Sequence, residues 1–317
     1  MKKCTMAAAL ALGLAALAVL AGCAGKQQIR MATGGNTGTY YAFGSAVGQI
    51  FQEKLGIPVT VQSTGASKAN IQLIDSGDVE LALVQNDVMA YAYQGIDLFA
   101  GEQIQSFAAL AGIYAEACQV VVNPGAGIAS VADLRGKRVS VGDAGSGVEF
   151  NARQIMEAYG LSFDDISKQN LSFGDSADAL KDDKIDAFFC VAGAPTPAIV
   201  ELATTKSIKI LEFDNEHIAA LKEKYPFYTV YPIPAGSYGG LDYDIKTVAV
   251  KATFIVSKKL PDETVYNLAK TLIESKDAIA IAHPKGKELS AAGAVESIPV
   301  DFHPGAKKYF TEIGALQ

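Results

Sequence analysis

The residues best placed for chemistry in this chain are small ones. In Thr33-Gly34-Gly35-Asn36-Thr37-Gly38-Thr39-Tyr40-Tyr41, three glycines and three threonines sit between the short run 28–32 and a helical pattern carried by Tyr40, Phe43, Val47, Ile50 and Phe51. A strand, a glycine turn and a helix leave backbone N–H groups unbonded at the helix start. Glycine lets a ligand approach them, so a carboxylate, phosphate or sulfate suits the place. Thr37 and Thr39 can equally serve as helix caps. The same arrangement recurs at Ser63-Thr64-Gly65-Ala66-Ser67 and at Gly142-Asp143-Ala144-Gly145-Ser146-Gly147. Asn70 lies one turn inside the helix that follows Ser67, and Gln85 ends the apolar run 79–84, where ligands of open parallel sheets collect. Asp87 reads as a helix cap. Ala192-Gly193-Ala194-Pro195-Thr196-Pro197 is a stiff turn that holds amides and hydroxyls ready, and Tyr238 belongs to a Pro/Gly-rich loop, 231–240, suited to close over a cleft. The expected ligand-binding set is Gly35, Thr37, Thr39, Tyr40, Ser67, Asn70, Gln85, Ser146, Gly147, Gly193, Pro195 and Tyr238.

Other chemistries lack their residues. No Lys-Ser/Thr pair closes a phosphate loop, and the glycines miss the dinucleotide spacing. No nucleophile elbow, clustered Cys/His/Asp set or distinct carboxylate pair marks an enzyme. His217, His283 and His303 are far apart, so no metal is expected, and no cofactor either. Arg153 reads as a surface charge or salt bridge, and His217 as a surface residue. A formal charge of −7 with scattered basic residues excludes a nucleic-acid surface.

The elements that must position these residues alternate along the chain. Strands are expected at 57–62, 79–84, 107–113, 117–122, 171–173, 184–191, 206–211 and 248–257. Helices are expected at 68–74, 88–94, 148–159, 176–180, 198–204, 217–224 and 262–275. This is an α/β chain of 317 residues, half of them hydrophobic. Glycine turns more than a hundred residues apart, each in its own strand–helix series, suggest two lobes whose strand ends face one another.

The first residues read as an export signal: Met1-Lys2-Lys3, an apolar stretch over 7–20 too short to span a membrane, then small residues before Cys23. Leu20-Ala21-Gly22-Cys23 resembles the bacterial lipobox. Residues 1–22 are therefore expected to be a lipoprotein signal peptide and 23–28 a lipidated tether, placing the chain in the periplasm or on the outer face of the cell membrane. Cys118 and Cys190 are either a disulfide or two buried thiols.

Taken together, Thr33-Gly34-Gly35 with Gly38-Thr39-Tyr40-Tyr41, Thr64-Gly65-Ala66-Ser67, Ala82-Leu83-Val84-Gln85 before Asp87, Gly145-Ser146-Gly147, Asp186-Ala187-Phe188-Phe189 with Gly193 and Pro195, and Leu260-Pro261-Asp262 before Val265-Tyr266 resemble the TAXI family of solute-binding proteins from TRAP transporters. The likeness runs over about 29–283. It implies a two-lobed type II periplasmic-binding-protein fold, with lobe 1 formed by 29–114 plus 213–317 and lobe 2 by 115–212. It further implies a monomer that captures a small anionic solute, such as glutamate or a dicarboxylate, by lobe closure and delivers it to TRAP permease subunits. Thr39, Tyr40, Ser67, Gln85, Ser146, Gly147 and Pro195 are placed near the cleft by the same likeness. Asn86 and Val148 depart from the family pattern. Two other readings are a binding protein of an ATP-driven importer for another small anionic or polar ligand, and an exported enzyme.

Overall fold

The computed structural model describes residues 28–316; the expected signal and all of the expected tether but Gln28, Cys23 included, lie outside the described residues. Ten strands form one continuous sheet: β1 (Ile29–Ala32), β2 (Val59–Gln62), β3 (Leu81–Gln85), β4 (Phe107–Val122), β5 (Arg138–Ser140), β6 (Ser167–Gln169), β7 (Ala187–Ala192), β8 (Lys209–Ile210), β9 (Thr229–Ile233) and β10 (Ile245–Ser257). Their order is β2-β1-β3-β10-β4-β7-β5-β6, with β8 on β4 and β9 on β10. Parallel strands occupy both ends, and the long antiparallel pair β4–β10 joins them.

The pair β4–β10 explains how two lobes share one sheet. Cores formed by residues 29–114 and 252–310 lie on one side of it, and cores formed by 117–250 on the other. Both strands pass between the cores close to the pairing of Glu116 with Val250, beside a register shift between Lys251 and Thr253. The two runs expected at 107–113 and 117–122 are therefore a single strand. The polar interruption at Glu116 is buried, which a pattern of apolar runs cannot show. The expected lobe limits placed 213–317 with the first lobe. Phe213, Ile218, Leu221, Tyr228 and Val248 instead pack with Val120, Ile155 and Phe189.

The helices that bear on the site are α1 (Thr39–Leu55), α2 (Ser67–Ser76), α3 (Asn86–Gln94), α4 (Gly147–Ala158), α5 (Phe173–Lys181) and α6 (Pro197–Thr205). α1 buries Tyr40, Phe43, Val47 and Phe51 against the sheet and ends at Gly56, whose φ of 65° permits the left-handed turn that closes it. β3 is buried at every position, as a central strand of a covered sheet should be. The strand expected at 171–173 is instead the loop into α5, and β6 lies just before it. The loop expected at 231–240 begins within β9. Cys118 and Cys190 are free, buried thiols on neighbouring strands. Among the described residues, no helix is long and apolar enough to cross a membrane.

Candidate functional site

One cavity of about 50 Å³ lies between the two groups of cores. At roughly 10–15 Å³ per water-sized site, it has room for a few such sites. Its wall is built from helix starts: Gly38, Thr39 and Tyr40 at α1, Ala66 and Ser67 at α2, Ser146 and Gly147 at α4, and Ser172 and Phe173 at α5. Four helices thus direct their N-terminal ends, with unbonded N–H groups and positive dipole ends, at one small volume. The starts differ in one respect. Ser146 Oγ accepts from the Glu149 amide and Ser172 Oγ from the Asp175 amide, so α4 and α5 are capped by their own side chains. Neither Gly38 nor Ala66 provides a side-chain cap, which leaves the starts of α1 and α2 free for a ligand. Ala66 also holds a φ of 65°, a conformation costly for a residue with a Cβ and typical of functional sites.

Of the expected set, Gly35, Thr37, Thr39, Tyr40, Ser67, Gln85, Ser146 and Gly147 line the cavity. The other four lie behind it. Asn70 donates to Thr33 O (2.5 Å) and Leu83 O (2.7 Å), tying the ends of β1 and β3 together. Gly193 offers its carbonyl to Thr39 Oγ1 (2.8 Å) and Thr196 Oγ1 (3.1 Å). Pro195 follows a cis peptide bond in that same turn. Tyr238 is 2 % exposed; its hydroxyl accepts from the Thr196 amide (3.0 Å) and donates to Gln119. It braces the turn instead of covering a cleft. Ser67 Oγ accepts from the Gln85 amide (3.1 Å).

Sequence reasoning missed Glu116, Asp143, Ser172 and Phe173, which also line the cavity. Ser172 had a signal, a serine three residues before Asp175 in a capping pattern, but the strand assigned to 171–173 concealed it. Glu116 lay between two apolar runs and had none. It accepts from Tyr40 Oη (2.7 Å), and burial raises its pKa well above the carboxylate range. Burial, followed by Asp175, also raises that of Asp143. Among the described residues, no Lys, Arg or His lines the cavity. Arg153 pairs with Asp97 (2.6 Å) and lies over the Phe150 ring, and His217 stacks on Tyr159. Among the described residues, no group of three or more His, Cys, Asp or Glu could hold a metal.

Beside the cavity, a buried polar network joins the two sides. Gln85 Nε2 donates to Asn151 Oδ1 (3.0 Å), and Asn151 Nδ2 donates to Asp87 Oδ2 (2.9 Å) and Tyr228 Oη (2.7 Å). Tyr228 Oη donates to Gln154 Oε1 (2.7 Å), and Gln154 Nε2 to Tyr91 Oη (2.9 Å). Asp87, expected as a cap, lies inside the first turn of α3, whose N-cap is Gln85; it accepts from the adjacent Val88 amide (2.9 Å), and burial holds its pKa up at about 6. Gly147 faces Gln85 so closely that a Cβ there would lie 1.8 Å from Gln85 Oε1. The lobes therefore meet directly over the cavity.

Comparison with known proteins agrees with this architecture. The profile of the NMT1-like family matches residues 31–314. The structure is similar to that of the periplasmic aliphatic sulphonate binding protein SsuA from Escherichia coli, at 14 % identity and a TM-score of 0.53, over 90 % of this chain and 83 % of that one. It is also similar to PhnD1 from Prochlorococcus marinus in complex with methylphosphonate (8 % identity, TM-score 0.56, 92 % of this chain and 100 % of that one). A putative L-cystine ABC transporter from Listeria monocytogenes shares the fold at 16 % identity and a TM-score of 0.50, over 82 % and 95 % of the two chains. The fold is the two-lobed α/β type II periplasmic-binding-protein fold. The expected placing in the TAXI family, with TRAP permease subunits as partners, is corrected by these findings. The matching profile is NMT1-like, and the similar structures include a protein described as an ABC transporter. Motifs of small residues at helix starts belong to the fold at large, so they could not separate the transport classes.

Proposed function

This chain belongs to the NMT1-like family, and from that premise we propose that it is an extracytoplasmic solute-binding protein. It captures a small polar or anionic solute between its lobes and delivers it to an ATP-driven importer. The observation that supports this most is the meeting of four helix starts from both lobes around one small cavity lined by hydroxyls, amides and the carboxyls of Glu116 and Asp143, with no cationic side chain among the described residues. An anionic group taken up there is held by neutral N–H and O–H donors, each pre-aimed by its helix. The ligands named for the similar structures, a sulphonate and methylphosphonate, are small anions of this kind.

The proposed binding residues are Thr39, Tyr40, Ser67, Gln85, Ser146 and Gly147, with Gly35 and Thr37 at the mouth. The lobes open about the crossing of β4 and β10, and the solute favours the closed form because only there does it touch both sides. Cys23, after Leu20-Ala21-Gly22, carries the lipid that tethers the chain outside the cytoplasm.

The purified chain should gain thermal stability with small sulfonates, phosphonates or carboxylates, since a ligand of the folded state stabilises it by mass action. Failure of every such solute to shift the melting temperature would refute the reading. Uptake by cells that depend on this chain should stop on ATP depletion; uptake that persists would reject the ATP-driven importer. Loss of the chain from the membrane fraction on Cys23→Ser tests the tether.

A further inference from the structure

Helix starts account for one end of a solute, and the cavity holds a second set of groups that an anion alone leaves unused. Glu116 reaches it from β4, is 2 % exposed, and accepts one hydrogen bond, from Tyr40. Gln85, 3 % exposed, also lines the cavity, and its Oε1 is buried with no hydrogen-bond partner. Asp143, an exposed residue, adds a carboxyl. A buried acceptor without a donor is destabilising, and buried side-chain acceptors are normally satisfied. All three groups can accept, and among the described residues no cationic side chain lines the cavity to meet them.

We propose that the solute is a small zwitterion, whose acidic head takes the free starts of α1 and α2 and whose ammonium group donates to Glu116 and Gln85 Oε1. This inference rests on the solute-binding reading and narrows it to amino acids, aminosulfonates and aminophosphonates. The groups facing Glu116 are Tyr40 on α1, Tyr114 and Cys118 on its own strand, Cys190 on β7, Asp87 on α3, and Lys285. Lys285 is itself engaged, donating to Glu288 (2.6 Å) and Tyr231 Oη (3.4 Å), so its charge is already paired. Burial raises the Glu116 pKa in the empty site and so favours its protonated form. When an ammonium group docks, the carboxyl O–H bond breaks, the proton passes to the buffer, and the carboxylate pairs with the cation.

The test uses matched probes on the purified chain: the common amino acids with their 2-hydroxy-acid counterparts, taurine with ethanesulfonate, and 2-aminoethylphosphonate with ethylphosphonate. Thermal shift finds the binders, and calorimetry in two buffers of different ionisation enthalpy counts the protons released. At least one nitrogen-bearing probe should bind roughly 10–100-fold more tightly than its nitrogen-free counterpart, the effect of a charge-assisted hydrogen bond. Its binding should release protons, increasingly as the pH is lowered. Glu116→Gln should remove both the preference and the proton release. The comparison within the wild type decides the matter even where that variant does not fold. Equal or tighter binding of the nitrogen-free counterparts would overturn the zwitterion while leaving small-anion capture standing. Binding of neither set would overturn both.

Discussion

Adding one methyl group at the seam between the lobes should separate folding from closure. In Gly147→Ala the new Cβ would lie 1.8 Å from Gln85 Oε1, 2.8 Å from Gln85 Cδ and 3.0 Å from Val88 Cγ2. The Gln85 amide is the far end of a side chain and can swing, but it is buried and bonded to Asn151 (3.0 Å). Moving it forfeits a bond worth about 0.5–1.5 kcal/mol, and forcing volume into a packed site costs about 1–3 kcal/mol. These terms overlap, so we expect a penalty of about 1–3 kcal/mol confined to the closed form. At 1.4 kcal/mol per factor of ten, this weakens a solute that needs closure by roughly 5–150-fold. The open form loses nothing, because alanine at a helix start is at least as favourable as glycine. The melting temperature without solute should therefore hold or fall slightly, while small-angle scattering shows a larger radius of gyration than in the wild type. A Gly147→Ala protein that scatters and binds as the wild type does would refute the seam as drawn.

Three further outcomes follow from the same structure. Asp87 has its folded pKa raised by burial from 3.8 to about 6, so its favourable contribution is complete below pH 3.8 and lost as the pH rises through 6. Asp87→Asn should therefore gain stability relative to the wild type between pH 4 and pH 7, by something on the order of 3 kcal/mol, read from melting temperatures across that range. A constant difference across the range would contradict the burial of that carboxylate. Arg153→Ala, which breaks a partly exposed pair with Asp97, should change stability by only about 0–1 kcal/mol and leave calorimetric solute affinity unaltered; a large affinity loss would mean a direct ionic contact. Phe43→Ala removes a fully buried ring packed on Tyr114 and Phe254 and should lower stability by about 3–5 kcal/mol in urea unfolding.

Much of the fold was readable because its signals are local. A short buried strand, a turn of small residues and an amphipathic helix are all written in adjacent positions, so β1–α1, β2–α2 and the turn into α4 were assigned before their contacts were visible. The readings that failed depend on distant partners. Glu116 interrupts an apolar run, and only its pairing with Val250 of β10 makes it part of a through-going strand. Tyr238 sits among prolines and glycines as a lid residue would, yet Gln119 and Thr196 hold it inside. Asn70, Gly193 and Pro195 were expected to bind the ligand, but they brace the wall of the cavity without lining it. Asn151, Gln154 and Tyr228 drew no attention as sequence, because an uncharged polar residue in a helical pattern looks solvated until its partners across the seam are known.

The most direct measurement of the central claim is a crystal structure of the chain with a solute found by thermal shift. The account predicts the solute in the cavity between the lobes, with an acidic group within hydrogen-bond distance of the amides at Thr39 and Ser67 and contacts from Ser146 or Gly147 across the seam. A solute held by one lobe alone, or lying away from these helix starts, would contradict it.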